Sequence, residues 1–150
     1  MLDYRLTEIQ PLLQQYVFHD IIWAVSKPKA ANQAMNTVNG DVFSWGQLWK
    51  TMAEYFGLQF KEPGEEPIDM EKLMADKGPV WDEIVKKYNL QPFKLNELTS
   101  WWFVNKVTDV KVSYFSSLTK VRKLGFTEYL DTGDSYIKLF EYLKKNKYTP

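Results

Sequence analysis

Apolar residues recur at three- and four-residue intervals from Trp45 through Leu48, Trp49, Met52 and Ala53 to Phe56, the period of a helix with one buried side. Ser44 followed by Gln47 reads as a capping box, Phe43 is placed to staple onto Leu48, and Gly57 stands where a helix ends. Between Pro11 and Ser26 the pattern is different. Leu13, Val17, Ile21 and Ala24 form one apolar stripe, and Leu12, Tyr16, His19 and Trp23 form a second. A helix apolar on nearly two sides is buried or meets a partner. Shorter helices are predicted from Asp69 to Asp76 and from Pro79 to Tyr88, the latter with Trp81, Ile84 and Val85 inward. Another runs through Leu95, Leu98, Trp101, Trp102 and Phe103, a capped one follows Ser117 up to Gly125, and a last one opens at Asp134 or Ser135. Strand candidates are Ala34–Val38 before the Asn39-Gly40 turn, Leu58–Phe60, and the alternating Val110–Tyr114. The expected fold is a predominantly helical α+β domain over residues 1–150, a single compact unit of about six helices with two or three short strands.

Composition narrows the chemistry. With 19 basic and 19 acidic residues in 150, no long-range field draws in nucleic acid or anionic lipid. No apolar run approaches the roughly 20 residues that span a bilayer. The first residues lack the basic-then-apolar layout of a secretion signal. A soluble, cytoplasmic protein is expected, with no nucleic acid partner and no membrane insertion. The absence of cysteine and the single histidine, His19, leave no conventional metal-ligand set, so no metal is expected. Gly40, Gly46 and Gly57 lack the strand-turn-helix setting of a nucleotide site, so no cofactor is expected. Aromatic residues make up 16% of the chain, and such rings fill cores or line pockets for apolar ligands. Trp45, Trp49 and Trp81 are assigned to the core on their helical spacing.

The run Asn32 to Asn36 and on through Asn39-Gly40-Asp41-Val42-Phe43-Ser44-Trp45, with Leu48-Trp49, resembles the "NxAFNxxNGDVFxWxxLW" signature of the progesterone 5β-reductase/iridoid synthase-like family of short-chain dehydrogenase relatives. Ile22-Trp23-Ala24 is similar to that family's "IWA", Asn96 to Phe103 to its "EExxxWWF" helix, and Lys123-Leu124-Gly125-Phe126 to its "KxxGF". The resemblance implies the substrate-binding lobe of an extended short-chain dehydrogenase. In the family, a nucleotide-binding domain that supplies NADPH and the acid for enone reduction precedes the matching stretch. The lobe itself supplies an apolar pocket, covered by the helix that matches Trp101-Trp102-Phe103. Lys106 stands where relatives usually carry an apolar residue.

Candidate catalytic residues are Lys106, His19 and Asp20. Lys106, one turn beyond Trp102, reads either as an electrophile for an enolate or as a surface lysine with its stem laid over the ring. His19 and Asp20 are suited to acid–base work near neutral pH, but neighbours on a helix diverge by about 100°, so the two do not share a pocket unaided. His19 also fits a satisfied core or interface position. Candidate substrate-binding residues are Trp102, Phe103, Tyr16, Trp23, Trp101 and Asn105. The functional expectation is a cofactor-independent cyclase or isomerase acting on an apolar conjugated carbonyl compound, such as a polyketide or terpenoid intermediate. The alternatives are a carrier for the same small hydrophobic ligand, or part of an NADPH-dependent enone reductase. A homodimer through the helix from Pro11 to Ser26 is expected to cover the apolar faces.

Overall fold

The computed structural model of the chain describes residues 11–62, 64, 68–108 and 115–150. Eight α-helices occur among them: α1 (Pro11–Ser26), α2 (Trp45–Tyr55), α3 (Met70–Met74), α4 (Gly78–Tyr88), α5 (Leu95–Leu98), α6 (Trp101–Thr108), α7 (Thr119–Leu124) and α8 (Thr132–Lys145), with a 3-10 turn at Pro28–Ala30. The described residues group into two units. The first holds those up to Phe60 and from Phe115 to Glu141, and the second those from Lys61 onward before Phe115 and from Tyr142 to Pro150.

The core of the first unit is Leu118, Val121 and Phe126, against which Trp23, Met35, Val38 and Leu130 pack. On α1 the inward side follows the helical period, with Asp20 buried and Trp23 and Ala24 half-buried, while Ile21, Ile22 and Val25 are exposed. Trp23 meets Phe126 with ring centroids 5.2 Å apart. Each fully buried aliphatic or aromatic side chain in such a cluster contributes about 1.5–3 kcal/mol.

The expected strands are absent from the described residues, where no strand occurs. Residues 33–43 form neither helix nor strand, and side-chain hydrogen bonds rather than a ladder tie them to the rest of the unit. Lys120 Nζ donates to the Ala34 carbonyl at 2.7 Å, Asn36 Nδ2 to the Ser117 carbonyl at 3.1 Å, and Arg122 to the Gly40 carbonyl at 3.2 Å. One main-chain bond, from Leu130 N to the Asn39 carbonyl at 2.8 Å, does not make a sheet. Leu58 is drawn back to finish α2 instead of extending. Its N–H reaches the Ala53 carbonyl at 2.8 Å while Gly57 N reaches Glu54 at 3.1 Å, with Gly57 at φ +65°. This is a Schellman closure. The candidate strand Val110–Tyr114 lies outside the described residues.

The same closure ends three more helices. Phe126 N bonds to the Val121 carbonyl past Gly125, Leu90 N to Val85 past Asn89, and Tyr148 N to Leu143 past Lys147. Gly125, Asn89 and Lys147 all have positive φ. Glycine and asparagine accept that geometry cheaply, whereas lysine does so at a cost.

Three further expectations are corrected. Trp45 and Trp49 are not core residues, being 41% and 48% exposed. α2 buries the stripe through Leu48, with Thr51, Met52 and Tyr55 partly covered, and Trp45 and Trp49 lie tilted against each other outside it with centroids 6.4 Å apart. The helix expected through Leu95 and Phe103 is two helices. Thr99 takes an extended backbone, φ −161° and ψ 160°, and α6 starts afresh with Val104 N bonding to the Ser100 carbonyl at 3.0 Å. α8 likewise begins earlier than expected, at Thr132, because the Asp131 carboxylate accepts from Asp134 N at 2.8 Å.

In the second unit α3 packs with α6, and α4 with α5. Asp69 caps α3 by accepting from Lys72 N at 3.3 Å. Trp81 is half-buried, and its indole N–H donates to the Phe93 carbonyl at 2.8 Å. Phe93 stacks on Tyr148 at 5.8 Å, beside a main-chain bond from Gln91 N to the Lys147 carbonyl at 2.7 Å.

Candidate functional site

The Asn39-Gly40-Asp41 motif is a clamp on the start of α8. Asn39 Nδ2 donates to Thr132 Oγ1 at 2.8 Å. Asp41 Oδ2 accepts from Thr132 N at 2.9 Å, and its Oδ1 accepts from Val42 N at 2.7 Å. These bonds from Thr132, with the smaller one from Val42, hold the Asp41 carboxyl below its ordinary value against a modest opposing effect of burial. Gly40 sits between them at φ +85°, where an added Cβ would stand 3.0 Å from Cβ of Tyr129. A side chain at that position is excluded by both backbone and space.

His19 and Asp20 diverge as their helical spacing requires. Asp20 turns inward at 5% exposure. Thr37 Oγ1 donates to its Oδ2 at 2.6 Å, and Oδ1 is buried with no hydrogen-bond partner. His19 turns outward, and its Nδ1 lies 2.9 Å from Oε2 of Glu128. Both side chains are about half exposed, 51% and 57%. Glu128 was not singled out by the sequence because 109 residues separate the pair, and no local spacing marks such a contact. Trp23 is engaged with Phe126. The side chain of Tyr16 lies outside the described residues.

The remaining candidates are on α6, in the second unit. Lys106 is exposed, with Nζ 5.9 Å from the centroid of the Trp102 ring, the cation over an aromatic face that the spacing anticipated. Trp102 and Phe103 are themselves exposed, and Trp101 is half-buried. Asn105 is committed to α3: its Oδ1 accepts from Met70 N at 2.8 Å, and its Nδ2 donates to Asp69 Oδ1 at 3.1 Å. That bond, more than those from Lys72, holds the Asp69 carboxyl below its usual range. The structure therefore brings His19 together with Glu128 and Asp20 with Thr37 in one unit, and Lys106 together with Trp102 in the other.

The glycines of positive φ do not fit a dinucleotide. Gly57 and Gly125 close the C-terminal ends of α2 and α7, where carbonyls point outward, and Gly40 is packed against Tyr129. A pyrophosphate needs a glycine turn opening a helix N-terminus after a strand, and none of these three offers one. Among the described residues no three His, Asp or Glu side chains converge on a metal position. No described helix is long and apolar enough to cross a membrane.

No family model matches the chain. Individual relatives do. The chain is 39% identical over 131 residues to an (S)-8-oxocitronellyl enol synthase of Catharanthus roseus, covering 86% of this chain and 34% of the relative. It is 38% identical over 130 residues to the enzyme of the same name from Antirrhinum majus, with 86% and 33% covered. A 3-oxo-Delta(4,5)-steroid 5-beta-reductase of Arabidopsis thaliana is 36% identical over 132 residues, with the same coverage. The chain thus spans about one third of the length of these relatives. Over that third, it is homologous to enzymes of the progesterone 5β-reductase/iridoid synthase-like kind.

Proposed function

We propose that this chain binds an apolar conjugated carbonyl compound, of terpenoid or polyketide type, and acts on it as a cyclase or isomerase of specialised metabolism without a nicotinamide. The observation that carries the reading is the shared sequence. One relative is named for an enol and another for the reduction of a 3-oxo-Δ4,5 steroid, so both names concern enolisable carbonyl compounds, and an enone passes to its dienol by moving one proton and its double bonds. A chemistry confined to that proton needs an acid–base group and an apolar surface, but no hydride donor. His19 is the acid–base candidate of the first unit, and the exposed Trp102 and Phe103 are a separate candidate aromatic surface in the second. Lys106 would supply positive charge to a developing oxyanion where one forms beside Trp102. The exposed Ile21, Ile22 and Val25 on α1 support self-association along that helix.

The test is incubation of the purified protein with a 3-oxo-Δ4 steroid in D2O without nicotinamide, followed by mass spectrometry. Deuterium uptake at the carbons flanking the enone, faster than in protein-free buffer, is expected. Uptake at the buffer rate, or turnover only when NADPH is added, would refute the proposal.

A second reading is favoured by one observation, the one-third coverage of the relatives. Under it, the chain is the substrate-binding part of an enone reductase and turns over nothing alone. It predicts ligand binding with no exchange, and NADPH-dependent reduction when the unmatched part of a relative is supplied separately.

A further inference from the structure

The pairing of His19 with Glu128 has the form of a carboxylate–imidazole dyad, and we infer that Glu128 is a positioning residue that sets His19 as a base acting through Nε2. The inference rests on the acid–base role proposed for His19. A carboxylate oxygen only accepts hydrogen bonds, so at the 2.9 Å contact with Glu128 Oε2 the hydrogen of the neutral ring is on Nδ1. Nε2 is then left with the lone pair. In free imidazole side chains that choice is not enforced. Here it is made by a residue 109 positions away, brought in because Phe126 is anchored in the core under Trp23.

The surroundings suit an apolar ligand. Trp23 is one helical turn beyond His19 on the same side of α1, and Phe126, whose ring meets Trp23, lies two residues before Glu128. Phe126 is itself buried, so the half-buried Trp23 is the aromatic side chain beside the polar pair. The dyad is reachable from solvent, with His19 and Glu128 each about half exposed. Asp20, next in sequence, is turned away and bonded to Thr37, so it does not compete for the imidazole.

The chemistry balances without a redox partner. Nε2 removes a proton from the carbon γ to the carbonyl of an enone, and the electron pair of that C–H bond moves into the conjugated system as a dienolate. The imidazolium formed is held by the Glu128 carboxylate. It then returns the proton to the α-carbon, giving the β,γ-unsaturated isomer and restoring neutral His19. Nothing is oxidised or reduced.

His19 is the single histidine of the chain, so long-range 15N–1H spectra of the full-length protein at a pH where the ring is neutral report this residue alone. The wild type is expected to hold mainly the Nδ1–H tautomer. Glu128→Gln, which keeps an acceptor oxygen, should retain it, and Glu128→Ala should release the ring to the Nε2–H form. A wild-type ring already in the Nε2–H form, or one indifferent to Glu128→Ala, overturns the inference. Solvent-exchange rates on the enone supply the functional arm. His19→Gln should lose about a hundred-fold or more, and Glu128→Ala at least about ten-fold, with little change in ligand affinity. Exchange that persists undiminished in Glu128→Ala overturns the inference alone, while wild-type exchange at the buffer rate overturns the proposed function and the dyad's role with it.

Discussion

Each unit is closed internally by its own kind of contact. In the first, side chains reach main-chain groups far away in sequence: Lys120 to Ala34, Arg122 to Gly40, and Asp41 to Thr132 are separated by 86, 82 and 91 positions. In the second, the side-chain ties between its helices are shorter, although Gln91 and Phe93 also reach Lys147 and Tyr148. Trp81 to Phe93 and Lys94 to Asp82 span 12 positions, and Asn105 to Met70 spans 35. A fold closed by a few long-range side-chain bonds depends heavily on single residues, because each bond replaces part of a missing strand ladder. A fold closed by neighbouring helices spreads the load. In the first unit Asn39, Gly40 and Asp41 are the clamp that starts α8.

Substitutions sharpen this contrast. The largest effect is expected for Phe126→Ala, which empties the centre of the first core and should cost about 3–5 kcal/mol, read by thermal or denaturant unfolding. Gly40→Ala comes next, at roughly 2–3 kcal/mol, since it combines a positive φ with crowding against Tyr129. In the second unit Asn105→Ala removes two bonds to the start of α3. It should lower hydrogen-exchange protection in α3 by about ten-fold, or about 1.4 kcal/mol, without unfolding the chain. If Asn105→Ala instead proves as damaging as Gly40→Ala, the contrast between the units is lost.

Asp41 gives the same contrast a pH signature. Its folded carboxyl titrates below the ordinary value of 3.8, so the clamp's contribution is fully present above that value and is lost as pH falls through the lower folded one. Asp41→Asn should therefore melt below the wild type at pH 6, with the difference shrinking under about pH 4. A difference that stays constant down to pH 2 would remove charge from the explanation. The smallest effect is expected for Lys147→Gly, which relieves a φ of +60° and should stabilise by about 0.5–1 kcal/mol.

Helices were legible wherever apolar spacing and end signals agreed. Ser44 with Gln47 and Gly57 bracketed α2, and Gly125 ended α7, because caps act on groups within four residues. The strands were misread because apolar alternation in Ala34–Val38 does not reveal whether a neighbouring strand exists to pair with it, and Lys120, Asn36 and Arg122 supply the bonds instead. Trp45 and Trp49 are exposed because only part of the wide apolar face of α2 is covered, and spacing does not say which part. Of the candidate site, the divergence of His19 from Asp20 and the position of Lys106 over Trp102 followed from helix geometry. The bonds of His19 to Glu128 and of Asn105 to α3 depend on tertiary placement, and no sequence spacing encodes them.

The account stands on an apolar carbonyl ligand, and equilibrium dialysis of the full chain against a radiolabelled 3-oxo-Δ4 steroid tests that most directly. Saturable uptake, weakened by Trp102→Ala and indifferent to added NADPH, is the predicted result. Uptake that never saturates, or that appears only with NADPH present, would contradict it.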